Sequence, residues 1–213
     1  MNSSSQKISA VMRNYGDPKL EFIAGKGSYL TSTSGEKYLD FTTGIAVNSL
    51  GHCHPKLVTA LQEQSEQLWH SSNLYRISQA ESLAKKLIAN TFADRVFFCN
   101  SGTEAIEAGI KIIRRYFFHN GHQQKNRIIA LTSSFHGRTL GALALANNPT
   151  QVKGFLHGDG GFDQVEYGNV DELKRTITDT TAGIVIEPIQ GEGGIRVAMK
   201  DYLAEIKNLC EIN

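Results

Sequence analysis

The sequence predicts an α/β fold built around a parallel sheet. Three short runs rich in apolar, β-forming residues, 95–99, 126–132 and 183–188, alternate with segments whose apolar residues recur at helical spacing. Strands that alternate with helices are typical of parallel sheets, because each helix carries the chain back across the sheet. The chain has 213 residues, which suits one large domain or part of a larger protein.

The segment before the first of these strands is predicted to contain a small β element and two helices. Residues 1–19 are expected to be a mobile lead-in, and residues 20–41 alternate around a turn at 34–36, which predicts a β-hairpin. Pro55 suits the first position of a helix. A second helix is expected from about Ser78 to Asn90.

The first predicted strand leads directly into a helix that begins at Ser101-Gly102-Thr103. The first turn of a helix carries unpaired N–H groups and the positive end of the helix dipole, which together favour anions. These three residues are therefore candidates for a phosphate site. A capping box formed by Ser101 and Glu104 explains the same residues without a ligand, and the two arrangements can coexist.

Polar and aromatic side chains also follow the second predicted strand. Phe135, His136 and Arg138 come just after residues 126–132. Ligands bind at the carboxyl ends of strands in open α/β sheets, so these residues indicate a ligand site. The alternative is a buried Phe135, a capping His136 and a solvated Arg138.

Two carboxylates accompany the third strand. Glu187 closes it, and Glu192 lies in the glycine-rich loop that follows. A carboxylate buried without a cation is costly, so both are expected to face an arginine, a cofactor or water. Upstream, residues 147–170 lack clear periodicity and are predicted to be a long connection, with a short helix expected over 170–178.

Composition argues against several classes of function. The net charge is +1, which does not indicate a nucleic-acid or anionic membrane partner, and no apolar run is long enough to span a bilayer. The three cysteines are far apart, which favours a reducing cytoplasm over a disulfide framework. His52, Cys53 and His54 are nearly consecutive and lack zinc-site spacing, so no metal is expected.

Motifs from about Tyr29 to the end of the chain resemble those of the class III aminotransferases, which are pyridoxal-phosphate enzymes of fold type I. The matching stretches, in order, are Leu39-Asp-Phe41 with Gly44-Ile-Ala-Val-Asn48, Gly51-His-Cys-His-Pro55, Asn100-Ser-Gly-Thr-Glu-Ala105, Ser134-Phe-His-Gly-Arg-Thr139 and Ile186-Glu-Pro-Ile-Gln-Gly-Glu-Gly-Gly194. The resemblance implies that residues 46–213 are the N-terminal part of a large parallel or mixed-sheet domain. Residues 1–45, with the hairpin, would then belong to a small domain.

The same resemblance implies which residues hold the cofactor, pyridoxal 5′-phosphate. Ser101, Gly102 and Thr103 would bind its phosphate, which agrees with the helix-terminus argument. Phe135 would stack on the pyridine ring, and His136 would also belong to the cofactor site.

Implied substrate contacts involve three further residues. Arg138 would bind a substrate carboxylate through two parallel hydrogen bonds, a geometry that lysine cannot reproduce. Glu187 and Glu192 would lie in the substrate pocket.

The segment His70-Ser-Ser-Asn-Leu-Tyr75 together with Phe135-His-Gly-Arg138 is most similar to acetylornithine aminotransferases. The implied reaction, in arginine biosynthesis, converts N2-acetylornithine and 2-oxoglutarate to N-acetylglutamate 5-semialdehyde and glutamate. A homodimer acting on small-molecule substrates in the cytoplasm is implied. Ornithine, succinylornithine and 4-aminobutyrate aminotransferases, a related aminomutase and a non-catalytic cofactor-binding fragment are the alternatives.

One departure from the family pattern concerns catalysis. The Schiff-base lysine of the family, and the aspartate that pairs with the pyridine nitrogen, have no counterpart in these 213 residues. Because the lysine carries the cofactor covalently and the aspartate strengthens the ring as an electron sink, this chain alone is expected to be inactive.

Overall fold

The computed structural model describes residues 10–155 and 158–213. The chain forms two compact units, residues 1–83 and 84–213. The first part of the expected lead-in, residues 1–9, lies outside the described residues. Residues 10–21 contain neither helix nor strand.

The first unit contains a three-stranded antiparallel sheet in the order β1-β2-β3. Its strands are Phe22–Lys26 (β1), Tyr29–Ser32 (β2) and Lys37–Leu39 (β3). Tyr29 pairs with Leu39 across β2 and β3, and Gly35 turns the chain with φ of +84°. The predicted hairpin is therefore confirmed, and β1 is a further strand beside it.

A short left-handed turn, Thr43–Ala46 (α1), follows, in which all four residues have positive φ. It precedes the two helices that the sequence predicts, Pro55–Ser65 (α2) and Ser78–Ala89 (α3). Pro55 occupies the first turn of α2, as expected. Neither α2 nor α3 buries a residue, so their apolar side chains remain on the surface.

His52 has a structural role in the first unit. Its backbone exchanges two hydrogen bonds with Gly27, at 3.0 and 2.8 Å, and its Nε2 lies 2.8 Å from Asp40 Oδ2. A Cβ atom at Gly25 would lie 2.7 Å from the His52 ring, so the ring packs directly against β1. Hydrogen bonds from the Thr42 side chain, from His52 and from the Thr42 and Thr43 amides lower the pKa of Asp40 from 3.8 to about 2.

We expect protonation of Asp40 to destabilise the first unit. Because its pKa is lower in the folded than in the unfolded state, its contribution is present above about pH 3.8 and is lost as the pH falls towards 2. Hydrogen exchange of the Thr42 and Thr43 amides should accelerate over that interval, relative to the intrinsic rate. Asp40→Asn should give faster exchange at neutral pH and no such acceleration. Asp17→Asn, in an exposed ion pair, is the control, and a wild-type-like profile for Asp40→Asn would refute the assignment.

The second unit is organised on a parallel sheet in the order β5-β4-β6. Its strands are Arg127–Leu131 (β4), Phe162–Val165 (β5) and Thr181–Val185 (β6), with a two-stranded ribbon of Ile189–Gln190 (β7) and Arg196–Val197 (β8). The helices are Gly102–His119 (α4), Leu140–Ala146 (α5), Pro149–Val152 (α6), Val170–Thr176 (α7) and Lys200–Ile212 (α8). This arrangement confirms the predicted parallel α/β fold.

The central strand β4 has apolar residues on both faces, as a sheet covered by helices on both sides requires. Ile129 and Leu131 pack with residues of β5, α7 and α8. Ile128 and Ala130 face the opposite way and pack with residues of α4, α5 and β5. All four side chains are fully buried, so β4 is the core of this unit.

Two predictions about this unit are wrong. Residues 95–99 form no strand, and Phe97 and Phe98 are 67% and 46% exposed. A strand needs a neighbour to bond its backbone, and no described residue pairs with this segment. The long connection at 147–170 is also not structureless, since it contains α6 and β5, although residues 156–157 lie outside the described part.

Within the part of the chain that the structure describes, no helix is both long and apolar enough to cross a membrane.

Candidate functional site

The N-terminus of α4 combines a helix cap with free backbone donors. Ser101 is the N-cap, and its Oγ accepts a hydrogen bond of 3.3 Å from the Glu104 amide. The Glu104 carboxylate reaches back to the Asn100 amide at 2.5 Å, and its bonds to Asn100 lower its pKa. The capping alternative is thus present. It leaves the Gly102 and Thr103 amides without a partner among the described residues, and the space beside Gly102 is open.

The loop after β4 packs closely on this first turn of α4. Gly137 has φ of +118°, and a Cβ atom there would lie 3.0 Å from Thr103 Cα. The hydroxyls of Thr103 and Thr139 are 3.2 Å apart. Two segments that are separate in the sequence therefore meet at one end of the sheet, as the sequence predicts for ligand-binding residues.

Phe135 and Arg138 lie together in this loop. The Arg138 guanidinium carbon is 5.6 Å from the centre of the Phe135 ring, within the range of a cation–π interaction. Phe135 is 38% exposed, so its ring can reach a ligand. The alternative of a buried Phe135 is wrong.

His136 points inward and is only 4% exposed. Its Nε2 has no hydrogen-bond partner among the described residues, and burial lowers the pKa of the imidazole. A buried ring nitrogen without a partner is uncommon and is costly unless a ligand or water satisfies it. His136 therefore has a ring nitrogen that a bound ligand or a water could satisfy.

Glu187 connects the end of the third strand to the same loop. Its Oε2 accepts a 3.2 Å hydrogen bond from the Phe135 amide. Burial raises the pKa of the Glu187 carboxyl, with a smaller contribution from the charge of Glu192. Glu192 is itself exposed and has no hydrogen bond or ion pair within the described ranges. The Phe135 amide and the Ser134 side chain are thus hydrogen-bond partners of Glu187.

Sequence reasoning did not assign a role to Gln190 or to Tyr167. Gln190 is fully buried, and its Nε2 donates to Thr132 O at 2.9 Å and to Ser134 Oγ at 3.3 Å. Its position in the glycine-rich motif is a signal that could have identified it. The Tyr167 hydroxyl donates to Glu187 O at 3.4 Å, and no local pattern indicates this contact.

Together these groups suit a ligand with a phosphate and a flat ring. Free amides at the end of a helix bind phosphate, and an exposed aromatic ring can stack on a planar group. An arginine next to that ring can bind a carboxylate. The arrangement brings Thr103, Phe135, Arg138 and Glu187 into one connected set of contacts, and Glu192 interacts with Glu187 through its charge.

Comparison with known proteins gives consistent results. The family described as Aminotransferase class-III matches residues 11–213. Acetylornithine aminotransferase from Agrobacterium fabrum (strain C58) is 52% identical over 192 residues, which cover 90% of this chain and 48% of the relative. The chain thus spans about half the length of such relatives.

Solved structures show the same likeness. N-acetylornithine aminotransferase from Stenotrophomonas maltophilia K279a superimposes with a TM-score of 0.76 at 32% identity, covering 93% of this chain and 49% of that one. Ornithine aminotransferase from Toxoplasma gondii ME49 gives a TM-score of 0.87 at 29% identity, covering 95% and 49%.

Proposed function

Because this chain belongs to the class III aminotransferases, which depend on pyridoxal phosphate, we propose that its residues bind the cofactor and substrate of such an enzyme. The observation that carries the proposal is the contact between the first turn of α4 and the loop after β4. This contact places the free amides of Gly102 and Thr103 and the exposed ring of Phe135 at one end of the sheet.

The residues present fit pyridoxal phosphate. The Gly102 and Thr103 amides would hold its phosphate in the open space beside Gly102, and Ser101 would support them as the helix cap. Phe135 would cover one face of the ring, and His136, whose Nε2 has no partner among the described residues, would also belong to the cofactor site. When bound, the cofactor supplies an electron sink for the chemistry of the amino group.

The proposed substrates are N2-acetylornithine and 2-oxoglutarate, in arginine biosynthesis. The 52% identity to an acetylornithine aminotransferase supports this choice. Arg138 would orient a substrate carboxylate, and Glu187 would hold the Phe135 amide so that ring and guanidinium keep their relative positions. Glu192, which is exposed, would face the substrate.

Replacing Arg138 with lysine should weaken use of the carboxylate substrate. A chimera that joins these 213 residues to the other half of the Agrobacterium fabrum enzyme provides the assay. In it, kcat/KM for N2-acetylornithine should fall about tenfold to hundredfold, because lysine cannot make two parallel bonds to a carboxylate. Arg175→Lys, on the exposed side of α7, is the matched control.

Three comparisons decide the outcome of that assay. Equal kcat/KM for Arg138→Lys and Arg175→Lys would refute the role of Arg138. Preference of the chimera for ornithine, succinylornithine or 4-aminobutyrate would refute the choice of substrate. The 213-residue chain tested alone should show no 2-oxoglutarate-dependent turnover, because the family resemblance implies that the Schiff-base lysine lies in the half of such relatives that this chain does not span.

The proposal also includes a homodimer, supported by the family resemblance. It places the protein in the cytoplasm, a choice that the three free cysteines support. The division into a small domain up to residue 45 and a large domain from residue 46 remains part of it. This boundary differs from the one between the two compact units, which divides the chain between Leu83 and Ala84.

A further inference from the structure

Glu107 has a hydrogen-bonding role that the proposed function does not yet include. It lies one turn after Thr103 in α4, and its Oε1 accepts a 2.5 Å hydrogen bond from the Thr139 hydroxyl. The Thr139 oxygen also accepts the Ala142 amide at 3.4 Å, which caps α5, and lies 3.2 Å from Thr103 Oγ1. One threonine thus connects Glu107, the phosphate-binding turn and the start of α5.

Glycines leave the space that these contacts need. A Cβ atom at Gly141 would lie 2.6 Å from Glu107 Oε1 and 3.0 Å from its carboxyl carbon. A Cβ atom at Gly137 would collide with Thr103. Because a Cβ atom at Gly137 would meet backbone as well as side-chain atoms of Thr103, α4 and the loop approach each other this closely only with glycine at position 137.

The carboxylate of Glu107 lies close to the proposed phosphate site, where a negative charge is unfavourable. Glu107 carries a negative charge one turn from amides that we assign to a phosphate, and like charges repel at that range. Its charge therefore opposes ligand binding. Its hydrogen bond to Thr139 is the contribution that can offset this cost.

We propose that Glu107 is a positioning residue for the cofactor site. By holding Thr139, it fixes the loop 135–139 against the first turn of α4, so that the Gly102 and Thr103 amides and the Phe135 ring face the same ligand. Glu107 does not itself touch the ligand. The inference rests on the proposed function, because it assumes that a phosphate occupies the space beside Gly102.

Affinity for pyridoxine 5′-phosphate tests the proposal. This probe has no aldehyde and cannot react with lysines, and binding is followed by NMR shifts of the Gly102 and Thr103 amides in the 15N-labelled chain. Glu107→Ala and Thr139→Val should each weaken binding about tenfold, as expected for loss of a hydrogen bond to a charged group. The double variant should bind no more weakly than Thr139→Val, because each change removes the same hydrogen bond between Glu107 and Thr139.

Glu107→Gln separates positioning from charge. Its amide oxygen still accepts the Thr139 proton but carries no charge, so it should bind the probe at least as tightly as the unchanged chain. A general structural role for the carboxylate would not give this rescue. Lys111→Ala, one turn further along α4, is the control and should leave binding unchanged.

The possible failures are distinct. If the unchanged chain shows no shift at Gly102 and Thr103, the proposed function fails, and this inference fails with it. If the unchanged chain binds and Glu107→Ala binds equally well, only the inference is overturned. Weak binding by Glu107→Gln, equal to that of Glu107→Ala, would also overturn it.

Discussion

Replacing Gly137 with alanine should cause the largest loss of ligand binding of any single methyl addition in the site. The residue has φ of +118°, where a side chain is strained, and its new Cβ would lie 3.0 Å from the backbone Cα of Thr103. Since a backbone atom cannot rotate away, the loop and α4 must separate. We expect a destabilisation of about 2–4 kcal/mol and a loss of pyridoxine 5′-phosphate affinity of about a hundredfold.

Gly121→Ala separates backbone strain from steric collision. Gly121 also has positive φ, at +82°, but a Cβ atom there meets nothing within 4 Å. The Gly121→Ala variant should therefore be destabilised by only about 1–2 kcal/mol and should bind pyridoxine 5′-phosphate with unchanged affinity. Urea unfolding and NMR titration of both variants provide the two measurements. Normal probe affinity for Gly137→Ala would show that its contact with Thr103 does not shape the site.

Replacing Leu131 with alanine should produce the second large effect. Leu131 is fully buried at the end of β4, and its carbonyl accepts a 2.6 Å hydrogen bond from Ser134 Oγ, at the start of the site loop. Removing a buried leucine side chain leaves a cavity and costs about 2–5 kcal/mol. The loss should be measurable by urea unfolding of the whole chain.

Ile112→Ala is the matched control for that experiment. Ile112 lies on α4 and is 63% exposed, so its truncation should change the free energy of unfolding by less than about 0.5 kcal/mol. Similar losses for both variants would contradict the assignment of β4 as the core of the second unit.

Local sequence patterns predicted the helices α2, α3, α4 and α7 and two of the three parallel strands. The helix at 102–119 and the strand β4 follow from periodicity and from a continuous apolar run, which depend on neighbouring residues alone. Strand β5 was not predicted because half of its four residues, Asp163 and Gln164, are polar. Asp163 is polar for a tertiary reason, since it pairs with Arg127 at 2.6 Å.

The wrong strand at 95–99 shows the converse limit. Its composition favours a strand, but pairing depends on a partner that local composition does not specify. In the described part of the chain no partner is present, and its phenylalanines are exposed.

The site was predictable in its position and less so in its contacts. Residues after parallel strands collect at one end of a sheet, which brought Phe135 and Glu187 together as expected. The collision that excludes a side chain at Gly137, and the hydrogen bond between Glu107 and Thr139, depend on how closely α4 approaches the segment that leads into α5. The spacing of residues in the sequence does not predict that distance.

The most direct test of the central claim compares two ligands that differ only in a phosphate. The 15N-labelled chain is titrated with pyridoxine 5′-phosphate and, separately, with pyridoxine. If the α4 turn binds the cofactor phosphate, the Gly102 and Thr103 amide resonances will shift with the first ligand and not with the second. Equal shifts with both ligands, or shifts confined to other residues, would contradict the account.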